Sequence, residues 1–151
     1  MPPFQPSLAT APLAPGDIER LTETLKPALE RALKASKLPS MLDDVTIDPR
    51  SGGVTITYTI PRMAGPTETK EGLIYTGFQL IWAATTEDED LRSFTLRGFA
   101  YPPADRRAAV AMIADVTAAD AAEARNASDY LTVQRYLDHC WWRTDLVAAT
   151  P

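Results

Sequence analysis

The chain's one histidine and one cysteine are adjacent, in Asp138-His139-Cys140. Together the three offer a carboxylate, a base and a thiol. The stretch reads as a helix over residues 130–148 capped by Asp129, and consecutive helix residues do not face one another. Such a helix cannot bring a Cys–His dyad together from neighbours. Zinc needs about four N or S ligands, or three and a water, and one His and one Cys on different faces do not supply them. The acidic run Glu87-Asp88-Glu89-Asp90 lacks the glycine and spacing of a calcium loop and reads as a solvated hairpin tip. No phosphate-cradling glycine motif occurs. Asn126-Ala127-Ser128 matches a glycosylation sequon but follows no secretory signal. The sequence therefore assigns no catalytic residue, no metal and no cofactor, and the expectation is a protein that is not an enzyme.

Composition narrows the partners. A net charge of −5 over 151 residues, with no Lys/Arg cluster, disfavours nucleic acid and anionic membrane surfaces. A single cysteine excludes an intrachain disulfide and suits a reducing compartment. No apolar run reaches a membrane span, and no basic stretch followed by an apolar one suggests a signal peptide. The expected location is the cytoplasm, or a particle assembled there.

The elements that position these residues come from periodicity. Residues 1–16 hold Pro2, Pro3, Pro6, Pro12 and Pro15 and form neither helix nor central strand. They read as a disordered tail or as an extended arm that lies across a neighbouring subunit, with Phe4 as a contact. Residues 17–151 form one domain. Asp17 can cap a helix over 18–36, whose apolar stripe runs through Ile18, Leu21, Leu25, Leu29 and Leu33. Pro27 inside it predicts a kink or two short helices. A short strand over 45–48, a turn over 49–53 and the alternating Val54, Ile56, Tyr58 and Ile60 predict a hairpin.

Residues 61–72 read as a long polar loop. The alternation of Ile74, Thr76, Phe78, Leu80 and Trp82 predicts a strand over 73–84, returning through a loop into a strand over 91–101 with Trp82 opposite Phe94. Residues 107–116 fit a last strand, with Val110 opposite Gly98, although their alanines also favour helix. Thr117 can cap a further helix, with Asp120 at its third position. The fold class is α+β: a five-stranded antiparallel meander, an N-terminal kinked helix and two C-terminal helices packed on the sheet.

Two surfaces stand out. The second face of the expected sheet carries Tyr75, Gln79 and Ile81, then Thr95, Arg97, Phe99 and Tyr101, then Ile113 and Asp115. A solvated face is mostly Thr, Lys and Glu; this one is aromatic, with a central Arg, as interfaces are. The second surface is the back of the C-terminal helix, where Leu131, Trp142 and Leu146 fall beside Arg135, Asp138 and His139. Both predict a non-enzymatic structural or interaction protein, one subunit of a homo- or hetero-assembly such as a virion or other multi-subunit particle, an adaptor or a chaperone. Its partners would be proteins or copies of itself. The competing expectation is a small-molecule-binding or enzymatic domain that holds an anionic group at Arg97.

Overall fold

A computed structural model describes residues 14–87, 92–126 and 140–147. Phe4, Leu131, Arg135, His139 and the expected helix start at Asp129 lie outside the described residues.

The first helix, α1 (Pro15–Ala35), starts two residues before Asp17, with Pro15 in its first turn and Ala14 at its cap position. Proline suits that place because its missing N–H has no partner there in any case. Asp17 serves instead as a first-turn carboxylate, paired with Arg20. The expected stripe is buried at Leu25, Leu29 and Leu33, and Ala28 is buried with them. The helix runs unbroken through Pro27. That residue and Glu23, whose carbonyl it leaves without a donor, are both exposed, so water can satisfy the carbonyl.

Strands β1 (Met41–Ile47) and β2 (Val54–Thr59) form the expected hairpin, with Val45 opposite Ile56 and Ile47 opposite Val54. β1 starts four residues earlier than its apolar pattern suggests. In the turn, the Asp48 carbonyl accepts from the Gly52 N–H (2.8 Å), and Gly52 has φ 72°, a left-handed conformation that glycine adopts without steric cost.

The largest departure follows. Residues 73–84 are not a strand. They belong to α2 (Pro66–Glu87), which also takes in the end of the supposed polar loop and the start of the supposed hairpin tip. Its buried residues, from Thr69 through Leu73, Ile74, Phe78 and Leu80 to Thr85, cover about two-thirds of its circumference; Glu71, Trp82 and Thr86 stand exposed on the rest, with Tyr75 and Gln79 half-buried beside them. Because the open stripe itself carries Tyr75 and Trp82, apolar residues occur on every side, the one-sided 3.6-residue pattern is blurred, and a chance period of two remains. One consequence is topological. With a helix between them, β2 and β3 (Phe94–Ala100) pair in parallel, Val54 opposite Phe94 and Tyr58 opposite Gly98.

β3 and β4 (Ala109–Val116) form the last hairpin. Its faces are as expected, but its register is two residues off: Gly98 meets Met112 and Leu96 meets Ala114. The loop between them is clamped by Arg62, whose guanidinium donates to the carbonyls of Pro102 (2.8 Å) and Asp105 and lies 5.3 Å from the Tyr101 ring centre. α3 (Ala118–Asn126) begins where expected, its Asp120 N–H donating to Thr117 Oγ1 at 3.1 Å.

From Cys140 to Val147 the chain is not helical. Trp141–Trp142 form a fifth strand, β5, antiparallel to β4. The architecture is thus α+β, with a mixed, mostly antiparallel sheet in the order β1-β2-β3-β4-β5. α1 packs on β1 and on α2, and α2 packs on β3 and α3. No helix among the described residues is long and apolar enough to cross a membrane.

Candidate functional site

Among the described residues, one face of the sheet is covered and the other is open. Phe94, Leu96, Gly98 and Ala100 of β3 are buried; Thr95, Arg97 and Phe99, between them, are not. The covered face closes on Tyr58, which is fully buried. Its phenol donates to the Leu73 carbonyl in α2 at 2.7 Å. Two glycines make room for the ring: a Cβ at Gly98 would lie 2.7 Å from Leu73 Cδ2 and 3.1 Å from Tyr58 Cζ, and one at Gly77 would lie 3.1 Å from Tyr58 Oη. Burial, and then the neighbouring Cys140, pushes the Tyr58 phenol well above its usual pKa, so it remains a neutral donor.

The open face is assembled by strand register. One row across the sheet reads Asp44, Thr57, Arg97, Ile113, Trp141; the next reads Thr46, Thr55, Thr95, Asp115. Arg97 is exposed and lies 5.9 Å from the ring centre of Phe99. Thr95 Oγ1 donates to the Asp115 carboxylate at 3.0 Å. Trp141 is 48% exposed at the end of its row. These two rows combine aromatic and aliphatic area with the cation of Arg97 and the separated carboxylates of Asp44 and Asp115.

Of the residues expected to share this face, Thr95, Arg97, Phe99, Ile113 and Asp115 do so. Tyr101 lies just beyond β3, under Arg62. Tyr75, Gln79 and Ile81 are on α2 instead, and Ile81 is buried. Tyr75 lines a shallow cavity of about 440 Å³ with Leu38 and Met63, rimmed by Lys37, Glu68 and Glu71. A second cavity, about 350 Å³, lies between the last turn of α1 and the start of β1, with Leu33 and Met41 among its walls.

The expected helical stripe through Leu131, Trp142 and Leu146 is not formed, because Trp142 lies in β5. Leu146 is buried in the core. Trp142 is half-buried against that core, with Lys70 Nζ 5.3 Å from its ring centre. Trp142, expected on the outer face of a helix, therefore packs inward, and its neighbour Trp141 is the exposed one. Trp141 is the open-face residue that periodicity misses, since a two-residue strand has no period to detect. Adjacent aromatics, which favour strands, were the available signal.

Among the described residues, no group of three His, Cys, Asp or Glu side chains is placed to hold a metal ion. No family model, curated protein or solved structure matched the chain.

Proposed function

We propose that the protein is a non-enzymatic interaction subunit that joins a larger assembly through the open face of its sheet, as a component of a multi-subunit particle or as an adaptor. The observation that carries this reading is Trp141, half exposed beside Ile113 and in the same row as Arg97. Tryptophan and arginine flanked by smaller contacts are the residues that dominate binding energy at protein interfaces. Arg97 stands on a strand and is exposed, which supports docking of a surface over capture of an anionic small molecule in an enclosed pocket.

Native mass spectrometry of the protein taken from its own source tests this. The expected mass exceeds the 16.5 kDa of one chain by that of at least one other chain, and Trp141→Ala releases the partner. A bare monomer in both the native protein and the variant overturns the reading.

A further inference from the structure

The charges of the open face complement the same face turned over. Arg97 in β3 sits opposite Ile113, and Asp115 in β4 sits opposite Thr95, so the cation and the carboxylate are diagonal neighbours on adjacent strands. When two copies of a face pack together, their two-fold axis lies in the plane between them, and each residue meets the position related to it by that axis. On a flat lattice with about 4.8 Å between strands and about 6.8 Å between alternate residues, the axis that exchanges Arg97 with Asp115 passes within about 2 Å of Ile113 and Trp141. One symmetry operation thus forms two Arg97–Asp115 pairs and sets the exposed indole and the isoleucine against their own copies.

We infer that the partner on this face is a second copy of the chain, held by reciprocal Arg97–Asp115 pairs around an Ile113/Trp141 centre. This rests on the reading of the open face as the docking surface and names its occupant. The two charges supply register, and the apolar centre supplies buried area. Asp115 keeps its Thr95 hydroxyl donor while it accepts the partner's guanidinium, because a carboxylate has acceptor capacity for both.

Light scattering and native mass spectrometry of the purified full chain at tens of micromolar test the inference. The wild type is expected at twice the mass of one chain. Arg97→Glu and Asp115→Arg each place two like-charge pairs in the interface and are each expected to weaken self-association by about a hundredfold or more. Mixing these two monomeric variants is expected to restore a dimer. The carboxylate introduced at position 97 of one copy then meets the guanidinium introduced at position 115 of the other, and the unaltered Asp115 of the first meets the unaltered Arg97 of the second. Both positions are exposed, and an unchanged circular dichroism spectrum verifies that the variants are folded. A wild type that stays monomeric, a dimer indifferent to Arg97→Glu, or a mixture that does not associate overturns the self-pairing. If the purified chain is monomeric but carries another chain in its own source, released by Trp141→Ala, the docking face stands and the second copy does not. If it is bare in both settings, both readings fall.

Discussion

Leu96 and Arg97 are neighbours in the chain and opposites in surroundings. Leu96 is fully buried beneath α2, within reach of Gly77; Arg97 points from the other face, exposed, with Phe99 beside it. The same alternation runs through residues 54–58 of β2 and 112–116 of β4, so one sheet presents two chemistries. The covered face is set by close packing, in which a single methylene matters. The open face has no covering element in the described fold, and its demands concern what can dock there. Substitutions on the two faces should therefore differ in kind as well as in size.

The largest effect is expected from Leu96→Ala. The lost burial and the cavity left under α2 cost about 2–5 kcal/mol in this class of change. Urea denaturation gives the value as a shift in midpoint at constant slope. A cost below about 1 kcal/mol would mean that α2 is not seated on β3 as described. Gly98→Ala comes next. The added methyl meets Leu73 from α2 and the rigid ring of Tyr58 at once, and one side chain cannot relieve both contacts. Overpacking of this kind costs about 1–3 kcal/mol, which thermal unfolding can measure.

These two faces also explain what was legible in the chain. β2, β3 and β4 have one buried face and one open face, so their period of two appears directly in Val54-Ile56-Tyr58 and Phe94-Leu96. α1 buries one stripe and appears as clearly. α2 buries about two-thirds of its circumference and carries Tyr75 and Trp82 on the rest, so its helical period is blurred, and Ile74, Thr76, Phe78, Leu80 and Trp82 alternate by coincidence. Length was the signal against a strand: the stretch is about twice a usual strand, and Pro66 offered a helix start. Misassigning that helix made the parallel β2–β3 pair invisible and moved Tyr75 and Gln79 onto a face they do not share. The open-face residues of β3 and β4 were recoverable because parity survives a register error of two. Trp141 was not, because its strand is defined by its partner, Ile113, rather than by its own sequence.

A smaller effect sharpens the description of the covered face. Tyr58→Phe keeps the ring and removes the bond to the Leu73 carbonyl, at a cost of about 1 kcal/mol near neutral pH. Its pH dependence is more specific. The folded phenol titrates well above the ordinary 10.0. The Tyr58 contribution is therefore fully present below the unfolded pKa and is lost as pH rises from about 10 toward the folded value, because the unfolded chain releases its proton first. Unfolding midpoints measured on either side of pH 10 should show the wild type losing stability faster than the variant. Parallel alkaline limbs would place Tyr58 in contact with water.

The smallest change in folding stability is expected where the functional consequence is greatest. Arg97→Ala removes an exposed side chain whose described contact is a 5.9 Å approach to Phe99. Isolated surface changes of this sort stay within about 0.5 kcal/mol. The measurement needs dilute protein, because association with a second copy stabilises the folded chain by mass action and makes the melting temperature rise with concentration. Wild type and Arg97→Ala should melt together when dilute and diverge as concentration rises, the wild type climbing and the variant lagging. Leu96→Ala should melt lower at every concentration. Parallel curves for wild type and Arg97→Ala would assign Arg97 to solvent alone. A large deficit for Arg97→Ala in dilute solution would instead make it part of the fold, and the two faces of β3 would no longer differ in kind.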